Sequence, residues 1–344
     1  MLADSRTGRV VVFGTGGTIA MTHSSSSGGG VSPALTAADL VAAVPGLAET
    51  GIAVDVVEFR RLPGASLELT DLLALSEAID DVMASGADGA VVIQGTDTIE
   101  ETSYLMDLYH AGDQPVVFTG AMRNATMAGA DGPANLLAAV QTAASAAAIA
   151  RGTLVVLADE IHAARRVRKT HTTSGSTFQS PSGGPLGYMV EGRPAFLNAV
   201  PARYHVPRDR TRSPRVALVP VTLGDHGELL DGLADRVDGL VVAAMGVGHV
   251  PRRLVDTLET TAQRIPVILA SRTGAGSVAT STYGFPGSES DLISRGLTPA
   301  GFLDPLKARI LLYAALAAGA DQAAVRDVFA LAGGYQTSAK WPWS

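Results

Sequence analysis

The sequence predicts an α/β protein: a larger N-terminal domain built on a doubly wound, mostly parallel sheet, and a smaller C-terminal α/β domain. Three observations carry this expectation. Short β-branched runs alternate with helical segments along the first half of the chain. These runs are apolar on both faces, as strands covered on both sides by crossover helices must be. At 344 residues the chain also exceeds what one hydrophobic core ordinarily holds, so two domains are expected.

The first five strands are read at residues 9–14, 52–59, 89–94, 115–119 and 152–158, each rich in Val, Ile or Leu. Between them, residues 36–44, 70–83, 99–110 and 131–150 read as helices, with Thr36 and Thr70 as N-caps. Thr98, followed three residues later by Glu101, has the pattern of a capping box for the third helix. Residues 201–214 shift to Pro, Arg and Asp without apolar periodicity, which marks a solvated linker between domains at 1–200 and 215–344. In the second domain, strands are expected at 215–220, 239–244 and 266–270, with helices at 254–263 and 305–318.

Composition narrows the function classes. With 47% apolar and 17% charged residues the chain can bury a core, which excludes disorder. The net charge of −7 gains nothing from counterion release on a phosphate backbone, so nucleic acid is not an expected partner. Absence of cysteine removes disulfides and thiolate metal sites. Residues 1–7 carry charges and run straight into the first strand without a signal-type apolar region. The most apolar helical stretch, 135–150, is broken by Gln141, Thr142 and Ser145 and falls short of a membrane span. A soluble, cytoplasmic chain without membrane attachment is expected.

Candidate chemistry sits at strand ends. The first strand runs into Gly14-Thr15-Gly16-Gly17-Thr18-Ile19-Ala20, placing Thr15 and Thr18 at the carboxyl edge of the sheet, where open α/β folds bind ligands. A dinucleotide fingerprint would need a third glycine where Ile19 stands, and a Ser/Gly tract at residues 24–30 replaces the helix it would open. That tract reads as a flexible lid. The third strand ends in Gln94-Gly95-Thr96-Asp97-Thr98, adding hydroxyls and a carboxylate to the same edge. The fourth ends in Thr119-Gly120-Ala121-Met122-Arg123, and a basic run, Arg166-Val167-Arg168-Lys169, follows further on. Glu160, His162 and His171 lack the i, i+4 spacing of helical metal ligands, so no metal or cofactor is expected.

Taken together, TGGTIA at residues 15–20, GTDTIEET at 95–102, TGAMR at 119–123, DGPANL at 131–136 and KTHTT at 169–173 resemble, in order and spacing, the motifs of the bacterial-type L-asparaginases. The resemblance continues through GPLGY at 184–188, GVG at 246–248 and PLKAR at 305–309, so it covers nearly the whole chain. It implies an amidohydrolase that converts L-asparagine to L-aspartate and ammonia through a threonine nucleophile, in a homo-oligomer, dimer or tetramer. Thr18 is the implied nucleophile, and Thr96, Asp97 and Lys169 form the implied relay. A threonine hydroxyl attacks only when a neighbour accepts its proton, and a lysine serves as that base only in its neutral form, which burial or positive neighbours favour. Arg166 and Arg168 are such neighbours in sequence. Backbone N–H groups of the glycine-rich turn and of Thr96 are the expected oxyanion donors, and Gly17 and Gly95 are expected to line the substrate site. Asp97 is implied to bind the substrate α-amino group and the Ala121 carbonyl to accept from the scissile amide nitrogen.

The chain departs from well-known members at several positions. No tyrosine lies in residues 23–35, where theirs orients the nucleophile. Gly64 stands where they place a serine against the substrate α-carboxylate, leaving its N–H, with Ser66 as a substitute. Gln94 replaces a histidine, and His249 an asparagine. The segment 273–283 lacks the glutamate that reaches a neighbouring subunit's site, for which Glu289 is the stand-in. Three alternatives stay open: a glutaminase-asparaginase acting also on L-glutamine, a non-catalytic asparagine sensor, and attack by Thr96 rather than Thr18.

Overall fold

The computed structural model describes residues 8–17, 19, 35–200, 202–335 and 337–343, together with the backbone of 21–23 and 31–33. Thr18 and the expected lid at 24–30 lie outside the described residues. The chain divides into two compact units, Met1–Arg203 and Tyr204–Ser344.

In the first unit, β1 (Arg9–Gly14) is followed by the antiparallel pair β2 (Met21–His23) and β3 (Val31–Pro33), then by α1 (Ala37–Ala42) and β4 (Ala53–Glu58). Next come α2 (Leu69–Ala84), β5 (Gly89–Ile93), α3 (Ile99–Tyr109), β6 (Val116–Thr119), α4 (Gly132–Ala143) and β7 (Thr153–Leu157). The unit closes with β8 (Glu160–Ala163), the short hairpin β9 (Arg168–Lys169) and β10 (Phe178–Gln179), and the strands β11 (Gly187–Val190) and β12 (Arg193–Phe196). One eight-stranded sheet has the order β12-β11-β8-β7-β6-β5-β1-β4. Strands β4, β1, β5, β6 and β7 are parallel, and β8, β11 and β12 extend the sheet antiparallel. The chain moves from β1 to β4 on one side and then to β5 on the other. Strand order therefore reverses between β1 and β5, which opens a crevice at their carboxyl ends.

Burial follows the sequence pattern. Val10, Val12, Val91, Ile93, Val117, Leu154 and Val156 form one core face with Leu136, Ala139, Val140 and Ala143 of α4. Strand β4, at the edge, alternates between exposed and half-buried residues, consistent with a sheet margin. Thr36 caps α1 in a capping box with Asp39, as expected.

Three local expectations are corrected. Helix α2 starts at Leu69 rather than after Thr70, because the Asp71 carboxylate accepts the Glu68 N–H at 3.2 Å and satisfies the end earlier. The long helix expected over 131–150 ends at Ala143, and Ser145 caps a separate 3-10 turn, Ala146–Ala148, by accepting the Ala147 N–H. Thr98 precedes α3 but makes no side-chain cap bond.

The second unit carries a parallel four-stranded sheet, in the order β13 (Val216–Pro220), β14 (Gly239–Ala244), β15 (Val267–Ser271), β16 (Thr298–Pro299). Helices α5 (Val255–Ala262), α6 (Glu289–Ser294), α7 (Pro305–Ala317) and α8 (Gln322–Ala332) accompany it. Its core gathers Leu240, Val242, Leu258, Val267, Leu269 and Leu292. The segment expected to be a solvated linker is packed in part: Val206 is fully buried, and the Trp341 indole N–H donates to the His205 carbonyl at 2.6 Å. Among the described residues no helix is long and apolar enough to cross a membrane.

Candidate active site

The carboxyl ends of β1 and β5 meet through glycine. Gly16 and Gly17 both have positive φ, 102° and 101°, a region that a side chain disfavours. A Cβ on Gly17 would stand 2.2 Å from the Gly95 nitrogen, and one on Gly95 would stand 3.1 Å from the Gly64 nitrogen. Three backbone segments thus touch without intervening side chains, which concentrates their N–H groups in one place. A Cβ on Gly120 would come 2.5 Å from the Gln94 carbonyl, so the turn bearing Ala121 abuts the same strand end. Thr15 is occupied otherwise: its hydroxyl and its N–H both donate to the Ile93 carbonyl, at 2.9 and 3.0 Å.

Beyond Gly95 the chain forms a 3-10 turn, Thr96–Thr98, before α3. Thr96 is buried and Asp97 is exposed. The ammonium of Lys169, on β9, donates to Thr96 Oγ1 at 3.0 Å and to Asp97 Oδ1 at 2.7 Å. Lys169 therefore contacts two adjacent residues that lie more than seventy positions before it in sequence. The β9–β10 pairing sets Lys169 opposite Phe178, and Arg168 faces Glu100 at 3.9 Å, tying β9 to the first turn of α3. The positive neighbours expected to act on Lys169 are thus directed elsewhere: Arg168 toward Glu100, and Arg166 against Gly183.

Asp131 and Asn135 brace the turn that carries Ala121. The Asp131 carboxylate accepts the N–H groups of Met122 and Arg123 at 3.0 and 2.9 Å. The Asn135 amide donates to the Gly120 carbonyl at 3.0 Å and accepts from the Ala158 N–H at 3.0 Å. Sequence reasoning singled out this stretch as a motif without assigning these roles, which depend on a turn closed across eight to fifteen positions. Of the residues proposed from sequence, Gly17, Gly64, Gly95, Thr96, Asp97 and Lys169 are brought together, and buried Ala121 follows the abutting Gly120. Ser66 is exposed at the end of the 3-10 turn Gly64–Ser66, its N–H donating to Pro63.

Glu289 is not the free carboxylate required of a stand-in for a neighbouring subunit. It is fully buried, its Oε1 accepts the N–H groups of Thr282 and Tyr283 at 2.8 and 2.7 Å, and Oε2 faces His249 Nε2 at 3.3 Å. Burial alone would raise its pKa, but the backbone N–H groups of Tyr283, Glu289 and Thr282 outweigh that and, with His249, hold it below the usual carboxylate value.

The histidines considered as ligands are also engaged within the fold. His171 Nδ1 accepts the N–H groups of Thr173 and Ser174, both at 3.0 Å. His162 is fully buried, with Nδ1 3.0 Å from Ser180 Oγ and Nε2 3.2 Å from Glu160. Among the described residues no group of three or more His, Cys, Asp or Glu side chains is placed to hold a metal.

Burial pushes the His162 pKa down from 6.5 to about 4. Between these values the unfolded chain binds a proton that the folded chain does not, so stability falls as pH drops through this window, by roughly 3 kcal/mol in full. Burial raises the carboxyl of Glu160, which contributes a slope of the opposite sign. Denaturant unfolding of the His162→Gln variant is expected to show a flatter pH dependence from 6.5 down to 4 than the parent chain. Identical slopes would refute the assignment.

The chain matches the family model described as Asparaginase, N-terminal over residues 9–201, and that described as Glutaminase/Asparaginase C-terminal domain over residues 215–329. It is 36% identical over 324 residues to a probable L-asparaginase of Deinococcus radiodurans, covering 93% of this chain and 97% of that protein. To L-asparaginase 2 of Escherichia coli it is 38% identical over 250 residues, or 70% of each. The crystal structure of a probable cytoplasmic L-asparaginase from Campylobacter jejuni superposes with a TM-score of 0.83 at 33% identity, covering 94% of this chain and 99% of that one.

Proposed function

The chain belongs to the asparaginase family of amidohydrolases, and from that premise we propose that it hydrolyses L-asparagine to L-aspartate and ammonia through an acyl-enzyme on Thr18. The observation that carries this reading is the contact of Lys169 with both Thr96 and Asp97 at the switch point of the sheet.

In this mechanism the α-ammonium of the substrate binds Asp97, whose exposed carboxylate is available from the crevice. The N–H of Gly64, with Ser66, receives the α-carboxylate, and the Ala121 carbonyl accepts from the scissile amide nitrogen. Lys169 takes the Thr18 proton through Thr96 as the threonine oxygen bonds to the amide carbon. The N–H groups of the Gly17 turn and of Gly95 and Thr96 hold the oxyanion. On collapse the C–N bond breaks, the proton passes to the departing nitrogen, and ammonia leaves. Water then repeats the sequence on the ester and releases aspartate.

No metal or cofactor enters this scheme. An ammonia-release assay with L-asparagine, L-glutamine and D-asparagine tests it. The expected result is turnover of L-asparagine without added metal and without inhibition by a chelator. Loss of activity to the chelator and its recovery with zinc would overturn the scheme. The L-glutamine arm decides whether the enzyme is a broader glutaminase-asparaginase, since one methylene in a pocket is worth only about 1–3 kcal/mol. Ligand binding with no ammonia would favour a sensor. A homo-oligomer, dimer or tetramer, belongs to the same proposal through the family resemblance. A cytoplasmic location is supported by the likeness to the Campylobacter jejuni protein.

A further inference from the structure

We propose that Gln94 and Thr98 are positioning residues that hold the Gly64 turn in the orientation needed to receive the substrate's α-carboxylate. This rests on the asparagine-hydrolysing reading above.

The Gln94 amide nitrogen lies 3.1 Å from Thr98 Oγ1, and Thr98 Oγ1 lies 3.1 Å from the Gly64 carbonyl oxygen. The direction of this chain follows from proton counting. A carbonyl only accepts, so the single hydroxyl proton of Thr98 goes to Gly64. The hydroxyl oxygen then accepts from Gln94, which must present its NH₂ group. That choice leaves Gln94 Oε1 buried without a hydrogen-bond partner. An apolar side chain of similar size would fill the position without this orphan.

Thr98 gives up a local stabilisation too. It stands before α3 where a threonine ordinarily accepts a backbone N–H of the first turn, yet it makes no side-chain cap bond. Its oxygen accepts from Gln94 instead, and its proton goes to Gly64. Two local rules are broken in neighbouring positions, and both departures serve the same carbonyl. Gly64 has little freedom left, since a Cβ there would meet the Gly95 oxygen at 3.0 Å and Thr98 Oγ1 at 3.1 Å. Because the peptide unit is planar, holding the Gly64 oxygen fixes the direction of the Ala65 N–H that shares its plane, and with it the orientation of the turn that begins at Gly64. The same oxygen accepts the Leu67 N–H at 3.3 Å, which closes the turn from its other end.

A residue that orients a carboxylate donor acts on binding of carboxylate-bearing substrates and much less on chemistry at the side-chain amide. Two substrates separate these effects: L-asparagine, and L-asparaginamide, in which a neutral amide replaces the carboxylate. For Thr98→Val, which keeps the β-branched shape and loses the hydroxyl, the ratio of kcat/KM for the two substrates should fall about tenfold, mainly through KM for L-asparagine. Thr98→Ser restores the hydroxyl and should restore the ratio. Gln94→Leu should shift it in the same direction as Thr98→Val, and it carries the test should that variant fail to fold. An unchanged ratio, or a parallel loss on both substrates, overturns the inference while leaving the asparaginase reading intact. A parent chain that releases no ammonia from L-asparagine overturns both.

Discussion

Thr18→Ala is expected to lower ammonia release from L-asparagine by about 10,000-fold or more, because no other group then forms the acyl bond. Aspartate should still bind, since Asp97 and the Gly17, Gly64 and Gly95 backbones are unchanged. Calorimetry with aspartate and a single-turnover assay measure the two halves of this statement. Loss of binding alongside chemistry would make Thr18 a structural residue. The rival nucleophile is Thr96, which is buried and whose Oγ1 accepts from Lys169 at 3.0 Å. Labelling with a reactive amino-acid analogue followed by peptide mapping separates them, and a label on Thr96 with Thr18 unmodified would reverse the assignment.

Lys169→Met is expected to reduce kcat by about 100-fold or more, the usual cost of removing a general base. Methionine keeps the length and the apolar stem of the side chain, so β9 and its pairing with β10 should persist, and some turnover through water should remain. The variant differs from Thr18→Ala in kind as well as degree. Asp97 loses its ammonium partner at 2.7 Å, which leaves the carboxylate available to the substrate's α-ammonium, so KM should not rise. A kcat within a factor of about three of the parent would remove Lys169 from the relay. A large rise in KM with kcat unchanged would recast it as a binding residue.

How much of this could be read in advance differs from element to element. Strands β1, β5, β6 and β7 were legible because burial on both faces demands unbroken Val and Leu runs, and α1 because Thr36 and Asp39 form a local capping box. The antiparallel extension was not legible. Its turns use Ala158-Asp159 and Glu191-Gly192, all at positive φ, where Ala158 and Glu191 are not residue types that announce such a turn. The end of helix α4 is not legible because an alanine-rich run has no apolar period to end, and it is Ser145 that ends the helix by capping the turn that follows.

By itself the sequence determined the family, the alternation of strands and helices, and which residue types stand at the strand ends, since these depend on composition, periodicity and ordered motifs along one dimension. The tertiary structure decided what each of those residues touches. Thr15 is tied to Ile93, Thr98 turns away from its helix to Gly64, Glu289 is enclosed by the N–H groups of its own segment, and Lys169 reaches Thr96 and Asp97. Hydroxyls and carboxylates have several partners open to them in any local sequence. Which partner prevails depends on backbone approaches such as that of Gly17 to Gly95, where an added Cβ would lie 2.2 Å from the facing nitrogen, and such approaches are set only when distant strands pack.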